Sequence, residues 1–431
     1  MKSPTALSTL ATVVALTILQ QNSFSTEVDP TFSAQVNGTV YALHVDASGN
    51  VYAGGQFNSV NGSPRNNLAR LNPSGAVDAS FAIQPDAAVL TISADNSGSI
   101  YAGGAFNAPS RHLAKISSGG QVLPLALQSS TSSRIDCLAL SSDGSVVIGG
   151  PFRSLAGTPA IHVAKISSAG QVDSAFESSL LSSAAFEAGA DALAIQSDGK
   201  ILVGGYLNTA DGQRSLLRLN ADGSVDATFS TEVGSILYTK VSVSAADNKI
   251  LVAGVRSSGG EGFVRRLNGD GTVDLFFHES TFNGSVEAIA LLSDGSIIAA
   301  GSFSGGLAKL NPDGSLDMAW NITTDGPVRA VAATENQIII GGAFTKVGNR
   351  AQRGIARINL QNRDVVATSL NGKFQARITG EPGKTYEIEA TEDFQSWTSL
   401  GIAIATEAGI QFADPNTRAC GHRFFRARLI E

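Results

Sequence analysis

The sequence repeats one unit seven times, and this periodicity constrains the fold more than any other feature. Each copy carries a pair of small residues after a short apolar run. The pair recurs as Gly54-Gly55, Gly103-Gly104, Gly149-Gly150, Gly204-Gly205, Ala253-Gly254, Ala300-Gly301 and Gly341-Gly342. Seven copies spaced about 40–50 residues apart indicate an architecture in which one supersecondary unit is stacked on its neighbours.

Within a unit, apolar and polar residues alternate over short runs, which predicts strands rather than helices. In the fourth copy we expect four strands, at about 191–196, 200–206, 216–220 and 225–229. Gly or Asn stands in the turn after the first strand and in the turn after the third strand of every copy. Both residues tolerate the positive φ of tight hairpins. The sequence therefore predicts an all-β fold: a seven-bladed β-propeller of four-stranded blades.

The fourth copy reads ALAIQSDGKILVGG and, further on, LLRLNADGSVDATF. This pattern resembles the delta-60 repeat family, because the turn glycines, the Gly-Gly pair and the final Val-Asp-x-x-Phe fall in register. The resemblance covers about Val28 to Asn362. It implies a propeller in an exported bacterial protein and implies no particular activity. Copy two replaces Val-Asp-x-x-Phe with VLPLAL, and copy seven lacks this element after Asn362.

Segments of different character flank the repeats. Residues 1–25 have the outline of a secretory signal peptide, with an apolar stretch from Ala6 to Leu19 that is too short to span a bilayer. A tethering or irregular N-terminus is the alternative. We expect the propeller to cover residues 26–365 and a small β-sandwich-like module to cover 369–431. That module resembles the short C-terminal modules of some exported bacterial proteins, and Trp397 would belong to its core rather than to a sugar site.

Composition narrows the classes of partner. The formal net charge is −7, and only 16% of the residues are charged. No basic stripe is available for phosphates, so nucleic acid and anionic membrane surfaces are not expected partners. We expect a secreted or cell-envelope monomer, without stable membrane insertion after cleavage, that meets another protein or a glycan. Cys137 and Cys420 could form a disulfide in such a compartment, but Cys137 is expected to be buried core.

Each copy places one basic residue on its third strand: Arg70, Lys115, Lys165, Arg218, Arg266, Lys309 and Arg357. Such a series could form a cationic ring for an anion. The turn geometry favours cross-strand ion pairs instead, because an Asp follows eight residues later in most copies. The expected pairs are Arg70 with Asp78, Lys165 with Asp173, Arg218 with Asp226, Arg266 with Asp274, and Lys309 with Asp317.

Catalytic and metal-binding patterns are scarce. The Asn-x-Asp-Gly-x-x-Asp turns beginning at Asn220, Asn268 and Asn311 look like calcium loops but lack the closing Glu, so they are expected to be ordinary turns. His112 and His162 occupy equivalent positions in two copies, without a recurring partner. We expect no catalytic residue, no metal and no cofactor, although an active site built from channel loops remains an alternative.

The loops between second and third strands are longer in copies one, three, four and seven. They could form a binding rim from Arg65, Asn61, Asp211, Arg214 and Arg350, or they could be solvated turns. The sequence thus favours an exported, non-enzymatic binding scaffold for protein or glycan. A propeller hydrolase or lyase acting on an extracellular polymer is the alternative, and the C-terminal module could also be the binding part, with the propeller as a spacer.

The start of the chain after the signal peptide predicts how the repeats close. Val28-Asp29-Pro30-Thr31-Phe32 is the last element of a repeat with no repeat before it, whereas copy seven has lost that element. We therefore predict that Val28–Phe32 pairs beside Ile355–Asn359 and sets Asp29 opposite Arg357. Such pairing would cover an exposed edge.

Overall fold

The computed structural model describes residues 27–126, 133–182, 188–231, 236–243, 247–360, 365–370, 373–378, 383–391, 398–406, 410–413 and 424–430. Residues 1–25, for which a signal peptide is predicted, Trp397 and Cys420 lie outside these ranges. All regular structure in the described ranges is β, and no described segment is a helix of the length and apolarity needed to cross a membrane. Contacts divide the chain into two compact units, Thr26–Leu360 and a unit that contains Gln361–Glu431.

The first unit begins with β1 (Glu27–Val28), which is followed by seven small antiparallel sheets. The first strands of the sheets are β2 (Thr39–Val45), β7 (Val89–Ala94), β11 (Cys137–Leu140), β16 (Gly189–Ile195), β19 (Ile236–Val243), β23 (Val286–Leu291) and β26 (Val328–Ala333). The second strands are β3 (Val51–Gln56), β8 (Ile100–Gly104), β12 (Val146–Gly149), β17 (Ile201–Thr209), β20 (Ile250–Arg256), β24 (Ile297–Gly301) and β27 (Gln337–Gly342). The third strands are β6 (Leu68–Leu71), β9 (Leu113–Ile116), β15 (Val163–Ile166), β18 (Gly212–Leu219), β21 (Gly262–Leu267), β25 (Leu307–Leu310) and β30 (Ile355–Asn359).

The fourth strand differs from the prediction. Among the described residues, β10 (Val122–Leu123), β22 (Ser280–Phe282) and β1 pair as strands with a third strand, and β22 lies after the predicted element at 273–277. In the other described cases the pairing is a single bridge, such as Leu71 with Val77 and Leu219 with Val225. The reason is the Asp that follows: the Asp78 side chain accepts the Ser80 amide at 2.9 Å, and the Asp78 carbonyl accepts the Phe81 amide at 3.3 Å. The chain therefore turns instead of extending.

Short hairpins extend three of the sheets between the second and third strands. They are β4 (Ser59–Val60) with β5 (Ser63–Pro64), β13 (Ser154–Leu155) with β14 (Thr158–Pro159), and β28 (Lys346–Val347) with β29 (Arg350–Ala351). In the fourth repeat, β17 and β18 themselves continue into a long hairpin that pairs Thr209 with Gly212. These are the four long loops that the sequence indicates.

The apolar core lies between successive sheets. One cluster joins Tyr52 and Leu68 of the first repeat to Ile100 and Phe106 of the second. The first strands follow one another in the same order, because β2 contacts β7, β7 contacts β11, β11 contacts β16, β16 contacts β19, β19 contacts β23, and β23 contacts β26. The last sheet also meets the first, since β26 contacts β2 and a further cluster contains both Ile339 and Val51.

The Gly-Gly pair permits this close approach. A Cβ on Gly54 would stand 2.6 Å from the Val89 side chain of the next repeat, and a Cβ on Gly55 would stand 2.1 Å from the Thr39 carbonyl oxygen of its own first strand. That carbonyl comes close because the first strand bulges: the register of β2 against β3 shifts between Val40 and Ala42. The first Gly thus serves packing between repeats, and the second accommodates the bulge.

β1 lies beside β30, with Glu27 opposite Asn359 and Val28 opposite Ile358. The Asp29 amide donates to the Arg357 carbonyl at 2.9 Å. The N-terminal segment thus occupies the outer edge of the last sheet, in a strand shorter than the predicted Val28–Phe32. It ends early because Asp29 accepts the Thr31 amide at 2.8 Å and begins a turn.

In the described part of the second unit there are six strands in two sheets. They are β31 (Val365–Leu370), β32 (Lys373–Ile378), β33 (Thr385–Thr391), β34 (Thr398–Ile404), β35 (Ile410–Ala413) and β36 (Phe424–Leu429), ordered β31-β32-β35 and β34-β33-β36. Tyr386, Ile388, Ala405 and Ile410 form a common buried cluster. The strand β31 begins at Val365, before the boundary expected at Ser369.

Candidate functional site

The basic residues of the third strands face Asp residues of the following turns. The N–O distances are 2.7 Å for Arg70–Asp78, 2.8 Å for Arg218–Asp226, 2.7 Å for Arg266–Asp274, 3.4 Å for Lys309–Asp317, 3.9 Å for Lys165–Asp173 and 2.7 Å for Arg357–Asp29. Lys115 belongs to the repeat without this Asp and instead pairs with Asp95 at 3.1 Å. Each basic side chain therefore has a carboxylate neighbour in its own repeat.

These guanidinium groups also reach the next repeat. Arg218 donates to the Gly269 carbonyl at 2.6 Å, and its guanidinium carbon lies 4.6 Å from the centre of the Phe229 ring. Burial raises the pKa of Asp226, but hydrogen bonds from Lys200, Thr228 and Arg218 outweigh it and hold that pKa below its usual value. Because every member has a carboxylate neighbour and its four arginines bond to a carbonyl of the next repeat, this series serves mainly to link sheets and offers little to an anion.

The five loop residues named from sequence are divided among three hairpins: that of β4 and β5, that of β17 and β18, and that of β28 and β29. Asn61 has a positive φ of 51° at the turn between β4 and β5, where its side chain accepts the Gln35 amide at 2.8 Å. Arg350 donates to the Val28 carbonyl at 3.4 Å, and Arg65 donates weakly to the Asp78 carbonyl at 3.5 Å. Asp211 and Arg214 are exposed on the hairpin of β17 and β18. Among the described residues, no hydrogen bond or ion pair joins these five side chains to each other.

A central cavity of about 240 Å³ lies where the first strands of all seven repeats meet. The lining residues that differ most in polarity and charge come one from each repeat. They are Tyr41, Leu90, Asp136, Asp191, Lys240, Glu287 and Arg329. The register shift of the first strand falls at Tyr41, Leu90, Asp191, Glu287 and Arg329. A bulge adds an unpaired residue to a strand and redirects its side chain. In these five repeats the same bulge therefore presents Tyr, Leu, Asp, Glu or Arg to one cavity, and Asp136 and Lys240 line it from the other two repeats.

The charges around this cavity are largely compensated. Asp136 pairs with Arg134 at 2.8 Å, and Glu287 forms an ion pair with Arg329 while accepting hydrogen bonds from the hydroxyls of Ser285 and Ser302. Lys240 donates to the main-chain carbonyl of Asp191 at 3.3 Å rather than to its carboxylate.

Asp191 is the exception among these carboxylates. Burial, with a smaller contribution from the neighbouring Asp136 charge, raises its pKa to about 6, although the positive charges of Lys240 and Arg134 act in the opposite direction. Burial also raises the pKa of the adjacent Cys137 thiol, whose sulfur lies 3.3 Å from the Ala190 carbonyl. The thiol is therefore a core group and a poor nucleophile at neutral pH.

The two equivalent histidines occupy a backbone position that requires positive φ. His112 and His162 have φ of 65° and 64°, and Asn67 has 61° at the same place in the first repeat. His162 is buried, with Nδ1 3.3 Å from the Gly150 carbonyl, and burial lowers its pKa. These histidines are placed in different repeats. Within the described part of the chain, no group of three or more His, Cys, Asp or Glu side chains could hold a metal ion.

The cavity residues escaped sequence analysis although a signal exists. Each stands immediately before a small or β-branched residue, as in Val-Tyr-Ala, Ile-Asp-Cys and Val-Arg-Ala. The alternation of apolar and polar residues does not by itself decide which face of the first strand this position occupies. The bulge, which depends on counting residues against the partner strand, decides that it faces the cavity.

Five segments of the chain match one family model of propeller repeats: residues 47–81, 141–176, 196–229, 245–277 and 292–319. Together with the repeated sheets, these matches define a β-propeller repeat protein. The family is described as "Domain of unknown function (DUF5122) beta-propeller", and the chain belongs to it.

Solved structures with similar folds share little sequence. A streptogramin B lyase aligns with 78% of this chain and 98% of its own, at 13% identity and a TM-score of 0.48. The extracellular domain of a hybrid two-component system from B. thetaiotaomicron aligns with 95% of this chain and 55% of its own, at 14% identity and a TM-score of 0.47. No curated protein matches the sequence. These likenesses carry no argument about function.

Proposed function

We propose that the protein is an exported, non-enzymatic scaffold whose repeats close into a seven-bladed propeller that binds one residue of a protein or glycan in its central cavity. The order of contacts from β2 to β26 and back to β2 supports closure. So does the Arg357 hydrogen bond of 2.5 Å to the Pro73 carbonyl, since it links the last repeat to the first. The second unit, with its two sheets and shared cluster, would be a small sandwich module.

The observation that carries the binding function is the contrast between a constant frame and a varied lining. The bulge recurs, yet the residue at it is aromatic, apolar, acidic or basic in different repeats. Purely structural positions of this chain, such as the Gly-Gly pair, keep one chemistry in nearly every copy. A concave site with a few convergent polar groups is the usual form of a ligand site.

Size and charge favour binding over catalysis. A cavity of about 240 Å³ is smaller than the roughly 300–1,000 Å³ of sites for drug-sized ligands. It suits one sugar unit or one side chain of a larger partner. The Glu287–Arg329 and Asp136–Arg134 pairs present oriented hydrogen-bonding groups of both signs, which suits recognition of a polar neutral or dipolar group.

The test uses glycan and peptide arrays probed with the full chain. The cavity variant Asp191→Asn/Lys240→Met is compared with Asp211→Asn/Lys346→Met, which alters the same two residue types at exposed loop positions. We expect array signals that the cavity variant loses and the control retains. Signals that both variants retain, or an array without signals for the wild type, would contradict the proposal. Export is tested separately by N-terminal sequencing of the secreted protein, for which we expect a start near Thr26.

A hydrolase or lyase remains the second candidate, and one observation favours it. Asp191, with a pKa near 6, lies close enough to Asp136 for the two charges to interact. Glycosidases use two carboxyl groups, one of them with a raised pKa. A panel of polysaccharides, esters and phosphate esters tests this candidate. Turnover that Asp191→Asn abolishes would establish it in place of simple binding.

A further inference from the structure

The three most exposed large apolar side chains of the described first unit lie on two neighbouring repeats, together with a fourth that is less exposed. Leu275, Phe276 and Met318 are 89%, 90% and 89% exposed, and Leu316 is 46% exposed. We call these four residues the apolar patch. Isolated exposed apolar residues are common, but several large ones at one place mark an interaction surface.

The repeats themselves provide an internal comparison. Leu275 and Phe276 are the two variable residues of the Val-Asp-x-x-Phe element, and Met318 occupies the first of these positions in the next repeat. Other repeats carry small or polar residues there: Ala79-Ser80, Ser174-Ala175, Ala227-Thr228 and Pro30-Thr31. The same turn forms with small and with large residues. The Phe81 amide donates to the Asp78 carbonyl at 3.3 Å, and the Phe277 amide donates to the Asp274 carbonyl at 3.1 Å. Folding therefore does not require the large side chains.

Packing between the two repeats brings the segments that carry the patch together. The His278 amide donates to the Asp313 carbonyl at 2.6 Å, and the Ser280 hydroxyl donates to the Gly314 carbonyl at 2.6 Å. The turn that precedes Leu316 and Met318 thus rests directly on the residues that follow Phe276.

The border of the patch is acidic. Asp270 and Asp313 are exposed in the turns of the two repeats. Hydrogen bonds to the Asp270 carboxylate, first from the Thr272 amide, lower its pKa, and those from Ser315 do the same for Asp313. Arg266, the nearby cation, is paired with Asp274 at 2.7 Å and donates to the Pro312 carbonyl. The border therefore remains anionic at neutral pH.

We propose that the apolar patch docks a polypeptide segment of another protein in which apolar side chains are flanked by Lys or Arg. Charge complementarity selects this occupant, because basic flanks would meet Asp270 and Asp313. A second copy of this chain, with a net charge of −7, would bring two acidic borders together, and anionic lipid would be repelled in the same way. This site is independent of the cavity, so either proposal can fail without the other.

The experiment displays peptides on an array in matched pairs: apolar anchors flanked by Lys, and the same anchors flanked by Glu. The full chain is compared with Leu275→Ala/Phe276→Thr/Met318→Ala, which installs residues that other repeats already carry and so preserves folding. Ile402→Ser/Ile404→Ser is the control, because these side chains are 66% and 63% exposed on the second unit. A further variant, Asp270→Asn/Asp313→Asn, keeps the turn acceptors and removes the charge.

We expect the wild type to prefer Lys-flanked peptides, and the patch variant to bind the best of them about tenfold more weakly, as loss of central apolar anchors does. The Asn variant should bind more weakly and lose its sensitivity to salt, while the control should match the wild type. Equal binding of Lys- and Glu-flanked peptides, or equal binding by the patch variant, would overturn the proposal. Patch-dependent dimers in sedimentation, or patch-dependent binding to anionic vesicles without peptide binding, would overturn it in favour of those occupants.

Discussion

Arg357 and Asp29, which are 328 residues apart in sequence, form an ion pair of 2.7 Å in which Asp29 is buried and Arg357 is partly buried. The pair reproduces the Arg70–Asp78 contact of the first repeat, although its two halves come from opposite ends of the first unit. Phe32 completes it, with its ring centre 5.0 Å from the guanidinium carbon. The N-terminal segment therefore acts as part of the last repeat.

Removing the Phe32 ring should release this segment. Phe32 is 1% exposed, so Phe32→Ala is expected to lower the free energy of unfolding by about 3–5 kcal/mol. Phe276→Ala serves as control and should change it by less than about 0.5 kcal/mol, because that ring is 90% exposed. Urea unfolding measures both variants. Equal stabilities would mean that the N-terminal segment does not hold the last repeat.

The links between sheets predict a large difference between two arginines of one strand. Arg218→Met removes the ion pair with Asp226 and the hydrogen bond to Gly269, and should cost about 3 kcal/mol. Arg214→Met, on the same strand but exposed, should cost less than about 0.5 kcal/mol. Thermal and urea unfolding give the comparison, and an Arg218 variant as stable as the Arg214 variant would refute the role assigned to these links.

Substitutions at two turn glycines distinguish the energetic cost of a strained backbone from the cost of a steric clash. Gly199 and Gly314 have φ of 82° and 87°, so alanine should cost about 1–2 kcal/mol at either position. A Cβ at Gly314 would stand 2.2 Å from the His278 carbonyl oxygen, whereas nothing lies within 4 Å of one at Gly199. Gly314→Ala should therefore be clearly less stable than Gly199→Ala in urea unfolding. Similar losses at both sites would show that the turn does not rest on the preceding repeat.

The raised pKa of Asp191 predicts that the stability of the protein depends on pH. Its pKa of about 6 in the folded protein exceeds the usual 3.8, so the folded state holds the proton more tightly than the unfolded chain. The resulting loss of stability is absent below about pH 4, grows between about pH 4 and 6, where only the unfolded chain ionises this carboxyl, and levels off at about 3 kcal/mol above pH 6. Asp191→Asn should match the wild type at pH 4 and exceed its stability at pH 8. A variant that is no more stable than the wild type at pH 8 would contradict the burial of this carboxylate.

Much of the frame could be predicted from sequence, because it rests on local rules repeated in register. The turn glycines predict the hairpins. The spacing of eight residues between the basic residue and the Asp predicts that Arg70 lies opposite Asp78. The prediction of a full fourth strand is wrong. Alternation of apolar and polar residues does not reveal that the Asp78 carboxylate accepts the Ser80 amide and that the chain turns at this point. The cavity lining was missed for a related reason: whether Asp191 faces inward depends on a bulge, which exists only relative to the partner strand.

The most direct test of the central cavity as the binding site is to fill it. Leu90→Trp places a large ring in the cavity, and Val122→Trp places the same ring on an exposed strand of the same repeat. The dissociation constant of the strongest glycan or peptide found on the arrays is measured by calorimetry for both variants. We expect Leu90→Trp to weaken binding at least about a hundredfold and Val122→Trp to leave it unchanged. Unchanged affinity in a folded Leu90→Trp protein would show that ligand binds elsewhere.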